Sequence, residues 1–307
     1  MIVINETFTS PYETQKYVNA CEARFENSLK EAAERIAAAH DNGVSCIALA
    51  GPSCSGKTTT ANRLIQLLSL RGLRVRTISI DDFFRDTDIR AREATDHGKD
   101  DDKIDFESVD AIDLDCLGEC VRGITEGRPV YLPRFSFPTG RRSAYHRMET
   151  READLFLFEG IQAVYPDVIA LFRKDSLLRL FINVADDITV NGISFTRREV
   201  RLYRRLVRDY HFRNASPEFT FFLWKNVVRN EELNILPFAE DADISINSLL
   251  PYELSVIKEP LLFVLSHLSG GSCYEEERRR ITAKLKPIPA ISTSVIPADS
   301  ICREFLG

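Results

Sequence analysis

No stretch of the 307-residue chain approaches the ~20 consecutive apolar residues that would span a bilayer, so no helical membrane anchor is expected. The opening residues, Met1-Ile2-Val3-Ile4-Asn5-Glu6, lack the basic patch and long apolar core of a secretory signal, which makes the cytoplasm the simplest compartment. Seven cysteines include no Cys-x-x-Cys pair, which argues against a zinc cluster or a disulfide framework. Basic charge is not in excess: a formal net charge of −6 gives no reason to expect a nucleic-acid partner. Internal repeats and low-complexity segments are missing as well. At 44% hydrophobic and 28% charged, the composition is that of a soluble globular protein with a large core. The length fits one large α/β domain, with or without extensions.

What is there begins with Gly51-Pro52-Ser53-Cys54-Ser55-Gly56-Lys57-Thr58, a complete G-x-x-x-x-G-K-[ST] phosphate loop. It follows the apolar run Val44 to Ala50 and precedes Leu64, Leu67 and Leu68 at helical spacing, with Gly72 as a C-cap. Glycine lets successive backbone N–H groups turn toward an anion, and the helix N-terminus adds partial positive charge. Lys57 reaches the outer phosphates, the Thr58 hydroxyl is a ligand for Mg²⁺, and Ser53, Cys54, Ser55 and Thr59 line the loop. The implied ligand is a nucleoside triphosphate. Cys54 is read as a small neutral filler, with oxidation sensitivity as the alternative.

Around the loop, residues 13 to 40 predict a long amphipathic helix, with Tyr17, Cys21, Phe25, Leu29, Ala32, Ile36 and Ala39 on one face. Strands are expected at 44–50, 75–80, 155–158, 178–184 and 243–247, and a helix near 107–126. A proline-bounded extended piece is expected at 129–133, and a mobile charged loop at 85–103. Strands alternating with helices predict a mostly parallel sheet covered on both faces, the α/β architecture of a P-loop protein. The division expected is an N-terminal helical extension over 1–43, a core over 44–250 and a C-terminal helical extension over 251–307.

Ligands in such folds collect at the carboxyl ends of the strands, where Asp81 and Glu159 would sit beside Gly51. A kinase acting on a hydroxyl needs one carboxylate there to orient the alcohol and accept its proton. Asp81 fits that need and so does a helix cap, with Asp82 as a competitor for the role. Glu159 suits a hard cation opposite Thr58. Arg197, Arg201, Arg204, Arg205 and Arg208 fall at i, i+3, i+4 steps and line one helical face. Such a series is a phosphate-clamping lid, a solvated charged face or, less simply, a nucleic-acid contact. In Pro133-Arg134-Phe135-Ser136-Phe137-Pro138-Thr139-Gly140-Arg141-Arg142, the aromatics suit either a base clamp or the core. The arginines suit an acidic group.

Taken together these motifs resemble the uridine kinase and phosphoribulokinase family of P-loop kinases over residues 44 to 260. The likeness rests on the phosphate loop, Asp81-Asp82-Phe83-Phe84, Asp105-Phe106-Glu107, Pro133-Arg134-Phe135-Ser136-Phe137 and Phe158-Glu159-Gly160-Ile161. It continues in Arg204-Arg205-Leu206-Val207-Arg208-Asp209-Tyr210 and Ala242-Asp243-Ile244-Ser245-Ile246-Asn247. Most similar is a group of bacterial uridine-kinase-like proteins, some with an N-terminal region like part of threonyl-tRNA synthetase; that likeness extends into Pro297–Phe305. The resemblance implies an ATP- and Mg²⁺-dependent kinase with Asp81 as general base and Thr58 and Glu159 attending Mg²⁺. Arg205, Arg208 and Arg213 would be lid arginines on phosphate, the lid lying at about 194–216. Asp82, Phe106, Glu107, Phe135, Phe137 and Arg141 would face a small-molecule acceptor, and a homo-oligomer is compatible with the sequence. Three positions depart from the uridine kinase pattern: Glu107 replaces an Asp, Gly140 replaces a His, and Asn214-Ala215 replaces a Gly-Arg pair. All three bear on the acceptor side or the end of the lid. A nucleoside, another small acceptor such as a sugar phosphate, pantothenate-like acid or glycerate, and a purely nucleotide-binding module all remain open.

Overall fold

The computed structural model describes residues 2–4, 10–87 and 106–307. Of the charged stretch at 85–103, everything after Thr87 lies outside those residues, as does Asp105. The strands, in chain order, are β1 (Ile2–Ile4), β2 (Cys46–Ala50), β3 (Val75–Ser79), β4 (Val130–Ser136) and β5 (Arg141–Met148). They continue with β6 (Leu155–Glu159), β7 (Leu177–Asn183), β8 (Ile188–Val190), β9 (Ile193–Phe195) and β10 (Ile244–Asn247). The longer helices are α1 (Pro11–Asp41), α2 (Lys57–Ser69), α3 (Leu114–Thr125) and α4 (Arg197–Arg213). After them come α5 (Pro217–Asn230), α6 (Glu253–Ser266) and α7 (Glu275–Leu285).

Every residue of β2 is buried, as a continuous apolar run demands of a strand covered on both faces. It lies at the centre of a five-stranded parallel sheet in the order β10-β7-β2-β6-β3. Alternation along the strands sends Ile47, Leu49, Leu157, Leu180 and Ile182 to one face, against Leu29 and Ile36 of α1 and Leu64 and Leu68 of α2. Ala48, Ala50, Phe156, Phe158 and Phe181 go to the other, against Leu117 and Val121 of α3. Register brings the strand ends level, with Glu159 opposite both Leu49 and Ser79. The segments leaving β2, β3 and β6 therefore emerge at one edge of the sheet. At that edge the chain's neighbours diverge, β6 on one side of β2 and β7 on the other, which opens a crevice.

The predicted N-terminal helix is α1, started by Ser10, whose hydroxyl accepts from the Glu13 amide at 3.2 Å, and by Pro11 at its first position. The helix expected from residue 107 instead begins at Leu114. Asp113 caps it by accepting from the Cys116 amide at 3.1 Å, and Ser108 caps a separate 3-10 turn, Val109–Ala111. Local capping by Ser and Asp outweighs the apolar spacing there. The short extended piece at 129–133 is the start of a hairpin, β4 against β5. Gly140 ends its turn at φ +64°, a conformation open to glycine, and accepts from the Thr87 amide at 2.7 Å. The sequence pattern missed the small sheet β1-β8-β9, in which the chain's first strand runs parallel to β8. α4 and α6 pack with this small sheet around Phe195, Tyr203, Leu206 and Leu261.

Leu64 is fully buried between α1 and the sheet. Leu64→Ala is expected to cost ~2–5 kcal/mol by leaving a cavity. It should lower the urea midpoint with an unchanged slope.

Candidate active site

The phosphate loop is shaped by close approach. A Cβ on Gly51 would lie 2.0 Å from the Ile182 carbonyl oxygen of β7, so only glycine lets the chain turn there. Gly56 caps α2 at φ +90°, and Cys54 is held at φ +60° inside the loop. The first amide of α2 to reach a carbonyl inside the helix is that of Thr60, which donates to Gly56 at 3.0 Å. The amides of Lys57, Thr58 and Thr59 therefore point out of the helix N-terminus, where an anion is favoured. The Lys57 ammonium turns back to donate to the carbonyls of Gly51 and Pro52, at 3.0 and 3.2 Å. The Ser55 hydroxyl is buried with no hydrogen-bond partner.

Three carboxylates surround that lysine. Burial pulls the Lys57 pKa down, while Glu159, Glu304 and Asp81 oppose it in that order. Asp81 sits in the 3-10 turn Ile80–Phe83 directly after β3. Burial raises its pKa, Lys57 lowers it and Asp82 raises it again. Glu159 ends β6 and is raised by burial first; Lys57 and a hydrogen bond with the Thr58 side chain counter that, while Asp81 and Glu304 add to it. Gly160 makes this grouping fit, since a Cβ there would lie 2.9 Å from Cβ of Ile80. Asp82 has a different partner: its Oδ1 accepts from the Phe135 amide at 3.1 Å, tying the Asp81 turn to β4.

The arginine helix is not a solvated face. Arg201 and Arg204 are buried, and each is paired with a buried glutamate. Arg201 donates to both oxygens of Glu231 at 2.6 Å and to the Ser53 carbonyl at 3.3 Å. Arg204 donates to Glu253 at 2.6 Å and to the Cys54 carbonyl at 3.1 Å. Burial raises the Glu253 pKa and Arg204 opposes the rise. Such guanidinium groups need several acceptors at once, and the loop's own backbone supplies some of them. Arg197, at the start of the helix, is exposed, whereas Arg205, Arg208 and Arg213 lie on the loop's side. Arg205 donates to the Ser53 hydroxyl at 3.0 Å, and Arg205, Arg208 and Arg213 converge on the carboxylate of Asp209. Asn214 ends the helix at φ +52°, performing the left-handed cap that glycine usually provides.

On the acceptor side, Phe84, Phe106, Phe135 and Phe137 form one cluster with centroids 5.0 to 6.0 Å apart. Phe135 and Phe137 meet edge to face at 5.3 Å, so they do not clamp a planar ring between them. Phe135 is buried, whereas Phe137 is 51% exposed and offers a free face. Gln162 donates to the Phe106 carbonyl at 2.6 Å, and Tyr165 donates to the Glu107 carbonyl at 2.8 Å. These two buried side chains hold the backbone of residues 106 and 107 in place. Arg141 is exposed; its neighbour Arg142 is bound to Asp113 at 2.6 Å and serves the hairpin's packing. Sequence reasoning missed Phe84, Gln162, Tyr165, Glu231, Glu253 and Glu304. Only Phe84 and Glu304 carried a signal, through their place in motifs of the resembling family.

A phosphate loop on the central strand of a parallel sheet, flanked by helices on both faces, is the architecture of the α/β P-loop NTPase fold. The chain belongs to the Phosphoribulokinase / Uridine kinase family, which it matches over residues 46–254. It is 28% identical over 201 residues to uridine-cytidine kinase A of Dictyostelium discoideum, covering 64% of this chain and 35% of that protein. Against a uridine kinase of Mycoplasma genitalium it is 26% identical over 218 residues, covering 66% of this chain and 89% of that one. The chain thus spans about a third of the length of several of the curated relatives it matches. Phosphoribulokinase from Rhodobacter spheroides is similar at a TM-score of 0.47 and 16% identity, covering 66% of this chain and 70% of that one. Among the described residues, no helix is long and apolar enough to cross a membrane.

Removing one member of a buried ion pair strands the other. Glu253→Ala should destabilise the protein by ~3–5 kcal/mol, measured by chemical denaturation. An exposed pair such as Arg122–Glu119 should contribute no more than ~1 kcal/mol by the same assay.

Proposed function

We propose that this protein transfers the γ-phosphoryl group of ATP to a hydroxyl of a small acceptor, with a uridine- or cytidine-like nucleoside as the leading candidate. The observation that supports this most is the convergence of Lys57, Asp81 and Glu159 on one end of the phosphate loop. In this reading Asp81 orients the acceptor hydroxyl and accepts its proton as the oxygen attacks phosphorus in line. Lys57 and the outward amides of α2 hold the phosphate oxygens, and Arg205, Arg208 and Arg213 neutralise charge that builds during transfer.

The donor set suits Mg²⁺. Thr58 and Glu159, whose side chains already interact, offer hard oxygen atoms, and the unpartnered Ser55 hydroxyl lies in the same loop. When bound there, the ion would offset charge on the phosphate oxygens. The relatives named uridine kinases support a nucleoside acceptor, and the free face of Phe137 could stack a base. A second reading, an anionic acceptor such as a sugar phosphate or a small carboxylic acid, is favoured by the exposed Arg134 and Arg141 beside that aromatic wall. ADP release measured across nucleosides, sugar phosphates and hydroxy acids separates the two. Nucleotide binding with no acceptor-stimulated release would point instead to a regulatory nucleotide-binding module.

Asp81→Asn is expected to lower kcat by about 10²–10⁴-fold with ATP affinity near the wild-type value. A variant that turns over normally would remove Asp81 from the role of base. A base with a raised pKa stays protonated, and so inactive, to a higher pH than a free carboxylate. The acid limb of kcat/KM should therefore lie above the ordinary carboxylate value of about 4. That limb belongs to Asp81 and Glu159 together, both being raised.

A further inference from the structure

The last turn, Arg303–Leu306, meets the start of α2 through Glu304 and packs on α4. Its seat is built by burial. Ile301, Cys302 and Phe305 are all but inaccessible, and the Phe305 ring lies 4.9 Å from the Arg204 guanidinium carbon. Ile301 packs on Gly56 so closely that a Cβ there would lie 2.0 Å from its Cδ1. Arg303 ties the turn down by donating to the carbonyls of Pro297, Thr293 and Ile296. From this fixed base one flexible side chain reaches into the phosphate loop. Oε2 of Glu304 accepts from the Thr59 amide at 3.3 Å and from the Thr59 hydroxyl at 2.7 Å.

The Thr59 amide is one of the outward donors of the helix N-terminus, the kind that an anionic ligand uses. The field of Glu304 also reaches Lys57, Glu159 and Arg208. A carboxylate oxygen thus holds donors that a phosphate oxygen of a bound nucleotide would take. Two anions sharing those donors would repel each other. Displacing this one needs only a swing of the side chain, since the turn is anchored by other residues.

We propose that Glu304 is a determinant of nucleotide affinity, an internal anion on Thr59 that an incoming polyphosphate must displace. This rests on the kinase reading only in taking a polyphosphate as the loop's ligand. Glu304→Gln keeps the shape of the side chain and removes its charge, and charge-assisted hydrogen bonds are roughly twice as strong as neutral ones. The variant should bind Mg-ATP and Mg-tripolyphosphate on the order of tenfold more tightly than wild type, as titration calorimetry would read. Glu304→Ala should shift affinity in the same direction, and both variants should melt within a few degrees of wild type. Asp299→Asn serves as the control, because Asp299 is a 65% exposed carboxylate on the same segment, 3.8 Å from Arg63. Its affinity should match wild type. An equal gain in the control would reduce the effect to net charge and overturn the proposal. Unchanged or weaker binding by both Glu304 variants would overturn it while leaving the kinase reading intact. If neither wild type nor any variant bound ATP or tripolyphosphate, both would fall together.

Discussion

Two guanidinium groups, those of Arg201 and Arg204, are withdrawn from water beside the phosphate loop, and much of the site's architecture follows from satisfying them. A buried charge without partners costs several kcal/mol, so each must collect acceptors from whatever packs around it. Arg201 collects Glu231 and the Ser53 carbonyl; Arg204 collects Glu253, Ser248 and the Cys54 carbonyl. The aromatic rings of Trp224 and Phe305 lie over the two guanidinium groups, and Nε of Arg201 is left without a hydrogen-bond partner. In this way the helix after the small sheet, the start of α6, the residues after β10 and the chain's last turn are all fastened to the same loop. Its Ser53 and Cys54 carbonyls are held by these arginines, and its Gly51 and Pro52 carbonyls by Lys57. A hinged lid that swings as a unit does not suit a helix fastened so deeply. Arg213, whose side chain is largely exposed, is less confined.

The same economy of charge governs the open side of the loop. Lys57 sits among Asp81, Glu159 and Glu304, and burial pushes the two strand-end acids toward their neutral forms. Near them Asp209 holds three arginines together. Donors that would serve a phosphate tail are thus engaged by the protein's own acids and carbonyls, with Glu304 on Thr59 and Asp209 on the arginines. A ligand with several negative oxygens can exchange for these contacts without leaving any donor buried and unpaired. Under the proposal for Glu304, such a site would bind by substitution of one anion for another.

Sequence alone determined the elements whose cause is local. Continuous apolar runs marked β2, β6 and β7; three- and four-residue spacing marked α1; and the glycines and lysine of the loop announced an anion cradle. Level strand ends then placed Asp81 and Glu159 beside Gly51, because a parallel sheet with its loops at one edge leaves little choice. Local capping hid the start of α3, and weak three-residue pairings hid the small sheet. Tertiary structure alone decided which charges are buried and by whom. Nothing in the spacing of the arginines separates Arg201 and Arg204, which pair with buried glutamates and loop carbonyls, from Arg205 and Arg208, which pair with Asp209. Nothing near Thr59 points to Glu304, 245 residues away. Periodicity reports which face of a helix is polar. Whether that face meets water, a carboxylate or a backbone carbonyl depends on distant segments brought into contact by burial, which no local pattern records.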